Sequence, residues 1–258
     1  MKDLSHGRVL LVGAGPGDPE LLTVKALNAI MVADVVVFDR LVSPEIMALI
    51  PDTTRRIDVG KSPRCHKLPQ DDINALLVAL ASEGQMVVRL KGGDPLIFGR
   101  GSEEAAVLRA AGIDCACIPG ITSAQGASSA TGVPLTHRGL ATGVRYVTGH
   151  RARDARLDLD WQSLACEDTT LVFYMSAMNI AEISFELMRH GLPATTPVLC
   201  VASATTPRET RIPSTLGGIA ADVATHCPEA PVLFIIGRVV SLYGAQPEAA
   251  TLRVPSHA

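Results

Sequence analysis

The residues with chemical potential crowd into one run, Val87-Val88-Arg89-Leu90-Lys91-Gly92-Gly93-Asp94-Pro95-Leu96-Ile97-Phe98-Gly99-Arg100-Gly101. An apolar segment that reads as a buried strand stops at two glycines, a carboxylate and a proline. It then turns through Phe98-Gly99-Arg100-Gly101 into a helical pattern near Ser102. Strand, glycine loop and helix is where open α/β sheets bind ligands. Gly92 and Gly93 lack a Cβ, so their backbone can take φ > 0 and lie against a bound molecule. Asp94 and Arg100 put opposite charges on one loop. The pattern predicts a small cofactor on one side of the loop and an anionic substrate on the other.

The elements that must hold this loop follow from periodicity. In the first half, strands are expected over 8–13, 33–39, 55–60 and 113–118. Helices are expected over 20–30, 70–83, 102–111 and 124–130, and a short one after Ser43, with Ser43 as N-cap and Pro44 at the first helical position. Strands alternating with helices indicate a parallel sheet. The stretch 131–143 is rich in Gly, Pro and Thr and reads as a domain boundary. Beyond it, strands over 144–149, 169–175, 197–202, 209–213 and 231–237 outnumber helices over 179–190, closed by Gly191, and 215–225. A mixed sheet is expected there. The fold class is therefore α/β in two domains, 1–135 with a mostly parallel sheet and 143–245 with a mixed one, followed by a tail over 246–258.

Composition removes several classes of function. With 47% hydrophobic and 19% charged residues the 258-residue chain can bury a core for each domain. A formal charge of −3, from 23 basic and 26 acidic residues, argues against general nucleic-acid affinity, which needs a basic excess. Local arginines facing an anion remain compatible with it. No apolar run is long enough to cross a bilayer, and Met1-Lys2-Asp3-Leu4-Ser5-His6-Gly7 lacks a signal-peptide core, so a cytoplasmic protein is expected. Of six cysteines only Cys115 and Cys117 lie close together, with no C-x-x-C, so reduced thiols and no metal site are expected. The turn Gly13-x-Gly15-x-Gly17 fails the dinucleotide spacing, and Pro16 removes a backbone donor there, which leaves a tight strand-to-helix turn.

Several motifs together resemble one family. Val12 to Ala26, around Gly13-Ala14-Gly15-Pro16-Gly17-Asp18-Pro19, is similar to the N-terminal signature of the tetrapyrrole methylases. Ala33 to Val42, Val59-Gly60-Lys61 with His66 and Gln70, Arg89 to Glu104 and Pro119 to Ala124 resemble further motifs of the family, and the likeness continues to Gly237. The resemblance implies the two-domain fold of that family, S-adenosyl-L-methionine as methyl donor with S-adenosyl-L-homocysteine as product, and a homodimer. Gly92-Gly93-Asp94-Pro95 with Phe98-Gly99-Arg100-Gly101 and Glu103-Glu104 points to the members that methylate uroporphyrinogen III at C2 and C7. Their product, precorrin-2, serves sirohaem, cobalamin or haem d1 synthesis. A later corrin-ring methylase, a diphthine-type methylase and a non-catalytic S-adenosylmethionine-binding protein are the alternatives. The chain lacks the dehydrogenase–chelatase half of fused sirohaem enzymes, so a single activity is expected.

The resemblance also implies roles. Pro16, Leu41, Gly92, Gly93, Asp94, Ile97, Phe98, Thr122, Ser123, Tyr174, Met175 and Ala204 would contact the cofactor. From the residues alone, Thr122 and Ser123 could equally be a helix cap, and Met175 could be core. Arg40, Arg100, Glu103, Arg138, His150 and Met175 would face the substrate. Guanidinium groups suit a ring bearing many carboxylates because they bind them bidentately; His137, Arg151 and Arg153 add positive charge nearby. A proton must move during C-methylation, and Asp39, Lys61, Arg100 and Glu103 are the candidates. The resemblance implies Asp39 as acceptor and Lys61 as donor. Arginine is a poor base because its pKa is so high, so Arg100 suits anchoring or electrostatics. Ser176 stands after Met175 where the family usually has Gly.

Overall fold

The computed structural model describes residues 7–60, 68–150 and 157–244. Lys61, Cys65, His66, Arg151, Arg153 and the tail over 246–258 lie outside them. Contacts divide the chain into two units: Met1–Gly126 with Thr205–Pro207, and Ala127–Ala204 with Arg208–Ala258.

The first unit holds β1 (Arg8–Gly13), α1 (Val24–Met31), β2 (Val35–Phe38), α2 (Pro44–Met47), β3 (Arg55–Asp58), α3 (Gln70–Ser82), β4 (Met86–Lys91), α4 (Gly101–Ala110) and β5 (Asp114–Ile118). The division of the two units falls within α5 (Ser123–Thr131). The sheet order is β3-β2-β4-β1-β5, and every pairing is parallel. Both faces are covered. Leu10, Val12, Val36, Val88 and Leu90 pack with Ala26, Ile30 and Ile46 of α1 and α2. Val9, Leu11, Val35, Val37 and Val87 pack with Ile73, Leu77 and Leu108 of α3 and α4. Strands buried on both faces read as continuous apolar runs, which is why the sequence shows them so plainly.

The second unit holds β6 (Gly143–Thr148), α6 (Trp161–Leu164), β7 (Thr169–Tyr174), α7 (Ile180–Arg189), β8 (Pro197–Ala202), β9 (Thr210–Thr215), α8 (Ile219–His226) and β10 (Val232–Ile236). Its sheet, ordered β6-β7-β10-β8-β9, is mixed. Only β6 and β7 are parallel; β10 runs against β7 and β8, and β9 against β8. Leu171, Phe173, Cys200 and Phe234 pack against Ile183, Leu187 and Ile219 of α7 and α8.

Three boundaries differ from the sequence reading for local reasons. The helix expected from residue 20 starts at Val24, because Asp18 caps a separate 3-10 turn, Pro19–Leu21, and Thr23 accepts from Ala26 N to cap α1. β9 extends to Thr215 and delays the next helix to Ile219; Pro213 is tolerated because β9 is an edge strand. The short α6, capped by Asp160, gave too few residues to show a period.

Candidate active site

Parallel strands bring the carboxyl ends of β1, β2, β4 and β5 to one edge of the first sheet. Two loops there are stitched to each other. Ala14 N donates to Lys91 O at 2.8 Å, and Gly15 and Gly93 exchange backbone bonds at 3.1 and 2.7 Å. The glycines fall into two kinds. Gly13 and Gly120 are glycines because of crowding: a Cβ on Gly120 would lie 2.3 Å from Gly93 O, and one on Gly13 2.4 Å from Gly120 N. Gly15 and Gly93 have room for a Cβ but hold φ of +73° and +69°, where other residues are strained. Gly92, expected to lie against a ligand, is also crowded within the protein, since a Cβ would meet Leu41 Cβ at 2.7 Å.

Asp94 is half-buried, and its carboxylate organises this edge. Oδ1 accepts from Leu96 N at 2.8 Å and Oδ2 from Gly120 N at 3.1 Å, which ties the loop after β4 to the loop after β5. The chain then wraps the Pro95 carbonyl, which accepts from Gly101 N at 3.0 Å. A Cβ on Gly99 or Gly101 would come within 2.6 Å of that oxygen. Phe98 and Arg100 both have positive φ, 53° and 59°. Leu96 and Phe98 are exposed, and Ile97 is half-buried. Thr122 is buried and caps the helix start, with Ala124 N donating to Thr122 Oγ1 at 3.3 Å; Ser123 Oγ lies over Gly93. Pro16 packs against Gly126, where a Cβ would meet its ring at 2.6 Å.

Arg100 grips Glu103 one turn on, Nε to Oε1 at 2.9 Å and Nη2 to Oε2 at 2.6 Å. Both side chains are about half exposed, at 54% and 53%. The pair holds the Glu103 carboxyl below the usual carboxylate range and raises Arg100. Two residues expected to face a substrate therefore face each other.

One residue along the helix the surroundings invert. Glu104 is fully buried, and its Oε1 accepts from Arg89 Nε at 3.2 Å, Lys91 Nζ at 3.1 Å and Gln70 Nε2 at 3.1 Å. Arg89 also donates to Val37 O and Leu90 O, and its Nη2 lies 3.6 Å from Asp39 Oδ2. Burial pushes the Lys91 amine down, and Arg89 adds to this; Glu104 and Asp39 pull the other way. Asp39 itself is partly exposed at the end of β2, and its Oδ1 accepts from Leu41 N at 3.0 Å. Sequence reading missed this cluster, although two signals were present. Arg89 and Lys91 stand at i and i+2, hence on one face of a central strand. Glu104 shares the buried phase of α4 with Gly101 and Leu108.

Arg40 and Leu41 are exposed at the end of β2. Gly60, which leads to Lys61, abuts Arg40, with a Cβ position 2.7 Å from Arg40 N. Lys61 lies outside the described residues.

The second unit carries the other expected residues. Tyr174 ends β7, and His150, Met175 and Ala204 follow the ends of β6, β7 and β8, all at one edge of its sheet; Gly149 N donates to Tyr174 O at 2.7 Å. Met175 is not core. It is 52% exposed, with φ 52°. Tyr174 stacks edge-on to Tyr146 at 5.7 Å. Ser176, in place of the usual Gly, is fully buried, and its Cβ sits 2.3 Å from where a Gly149 Cβ would be. The missing Cβ of one residue thus makes room for the other. Arg138 does not join this edge; its turn, closed by a bridge between His137 and Ala141, precedes β6 at the opposite end of the strand.

A parallel sheet and a mixed sheet with ligand-type loops at their strand ends define a two-unit α/β architecture. The chain belongs to the tetrapyrrole (corrin/porphyrin) methylases, whose family model matches residues 8–220. It is 61% identical over 236 residues to the uroporphyrinogen-III C-methyltransferase of Paracoccus denitrificans, covering 92% of this chain and 82% of that protein. It is 49% identical to the sirohaem synthase of Hahella chejuensis over 92% of this chain and about half that protein's length. The uroporphyrin-III C-methyltransferase of Thermus thermophilus, solved with S-adenosylhomocysteine, superposes with TM-score 0.78 at 40% identity, covering 92% of this chain and 94% of that one.

Proposed function

We propose that this chain is an S-adenosylmethionine-dependent methyltransferase that C-methylates uroporphyrinogen III twice, at C2 and C7, to give precorrin-2. The observation that carries the reading is the stitched edge of the first sheet, set in a chain 61% identical to a uroporphyrinogen-III C-methyltransferase. The residues present suit the cofactor. Backbone left bare at Gly15 and Gly93, the half-buried Asp94 and the hydroxyls of Thr122 and Ser123 offer close approach and hydrogen bonding to a ribose or an amino-acid tail. Pro16, Leu41, Gly92, Ile97, Phe98, Tyr174, Met175 and Ala204 complete the proposed cofactor contacts.

S-adenosylmethionine, when bound, would supply the methyl group to a pyrrole carbon, with its sulfonium–methyl bond breaking and S-adenosylhomocysteine as the leaving group. The chain's own work is to orient the ring and handle a proton. Orientation of two bound reactants can supply about 7–11 kcal/mol of the barrier. Arg40, Arg100 and His150 anchor the substrate's carboxylates, and Arg100 does so by exchanging Glu103 for a substrate carboxylate of the same geometry. Asp39 accepts the ring's proton, Lys61 returns one, and Met175 faces the substrate edge. The enzyme works as a cytoplasmic homodimer of chains with domains 1–135 and 143–245. No described helix is long and apolar enough to cross a membrane.

Anaerobic incubation of the purified protein with S-adenosylmethionine and fresh uroporphyrinogen III should yield a dimethylated product by mass spectrometry. A chain that binds S-adenosylhomocysteine but transfers no methyl group would refute the substrate.

A further inference from the structure

We propose that Glu104 is a positioning residue for Asp39, acting through Arg89; the inference rests on the reading of Asp39 as proton acceptor. Asp39 stands at the rim with a 24% exposed carboxylate. Its Oδ1 is held by the Leu41 amide, and its Oδ2 is paired with Arg89 Nη2 at 3.6 Å. Arg89 is 3% exposed and comes from the neighbouring strand. A flexible cation can set a carboxylate's direction only if it is itself held, and Arg89 is held at three points: Val37 O, Leu90 O and Glu104 Oε1.

Of those three, Glu104 is the only charged partner, and it has a second duty. Lys91 lies on the same strand face, buried, with its ammonium on the same carboxylate oxygen. Without Glu104 the two cations would repel each other across a dry interior, with only the rim carboxylate of Asp39 to satisfy both. Asp39 would be drawn inward, away from any ring that it must reach. With Glu104 in place, Arg89, Lys91, Glu104 and Asp39 sum to zero charge, and Asp39 does not have to neutralise both cations by itself. Gln70 Nε2, bonded to Glu104 Oε1 and to Asn74 Oδ1, fixes the carboxylate from the side of α3. The chain of contacts runs from α3 and α4 through β4 to the end of β2. Glu104, with no exposed surface, touches neither substrate nor cofactor from this position.

A double-mutant cycle tests this on the whole enzyme. Glu104→Gln keeps size and shape while removing the charge. Misplacing a reacting group costs about 10²-fold, so its kcat should fall by roughly 10–100-fold. KM for uroporphyrinogen III and calorimetric affinity for S-adenosylhomocysteine should stay unchanged. In an Asp39→Asn background the same substitution should cost less than about twofold more, because residues acting as one unit are not additive. Additive losses in the double variant, or full kcat in Glu104→Gln alone, would overturn the positioning role. If Asp39→Asn alone keeps full turnover, the acceptor reading fails and the inference falls with it. Should Glu104→Gln not fold, Gln70→Leu loosens the same carboxylate at lower risk. It should lower kcat several-fold and be non-additive with Asp39→Asn in the same way; additivity there overturns the proposal equally.

Discussion

Glu103 and Glu104 are chemically identical neighbours on one helix, and each binds an arginine from the strand–loop segment before it. The outer pair, Arg100–Glu103, is bidentate and half exposed. The inner group, Arg89–Glu104–Lys91, is almost wholly out of water. An exposed pair is worth little because water competes for both ions. It can therefore open when an anion arrives, which suits a ligand-facing position. A buried group is expensive to assemble and more expensive to break, because whatever remains is an uncompensated charge. The difference separates a replaceable contact from a fixed support within one turn of helix.

The largest test removes the inner carboxylate. Glu104→Leu should lower the unfolding free energy by about 3–5 kcal/mol, the usual cost of breaking a buried ion pair from one side. Urea denaturation measures it, and a loss near zero would mean that the cluster repacks. The outer pair should respond in the opposite manner. Arg100→Ala should barely move the urea midpoint or S-adenosylhomocysteine affinity, while kcat/KM for uroporphyrinogen III falls. A charged hydrogen bond contributes about 1.5–3 kcal/mol, so the fall should be roughly 10–100-fold. Unchanged turnover would remove Arg100 from the substrate side.

Gly120→Ala probes the inner layer by sterics instead of charge. Its Cβ would press on the Gly93 carbonyl at 2.3 Å, and overpacking against backbone should cost about 1–3 kcal/mol. It should also weaken S-adenosylhomocysteine binding, measurable by calorimetry. A smaller effect concerns pH. Lys91 has its folded pKa lowered below 10.5 by burial, so the folded protein releases that proton first. Between the lowered pKa and 10.5 the unfolded chain binds more protons, and this lysine makes stability rise with pH there. Below that window the penalty is fully present. Lys91→Met should remove the rise, seen as a flatter difference between the two proteins' urea stability curves. Least of all, Arg100→Ala should let the Glu103 titration midpoint drift upward in an NMR titration, since its partner is what lowers it.

Much of the fold could be read before any coordinates. Val9 to Val12 and Val35 to Val37 are buried on both faces, so they announce strands without alternation, and Gly, Pro and Asp mark the loops between. The mixed second sheet was legible only as an excess of strands. Its order, with β10 between β7 and β8, depends on pairings distant in sequence. Among the site residues, Asp94 was readable as an important carboxylate but not as the bond between two loops, because Gly120 is far from it along the chain. For Met175 residue type alone favoured core, while the family resemblance implied a ligand contact; its exposed, positive-φ position is set by where β7 ends.

Sequence by itself determined which residue types stand at the strand ends: glycines that permit positive φ, a carboxylate, and arginines able to grip anions. These are local properties, carried by each residue's own stereochemistry and by periods of two or about 3.6 residues. Tertiary structure alone decided how like residues were divided. The phase of α4 against the sheet put Glu104 in and left Glu103 out, and the parallel register placed Arg89 beside Asp39. The strength of a charge's interactions depends on the surrounding dielectric and on distance, and neither quantity exists until the strands and helices have packed.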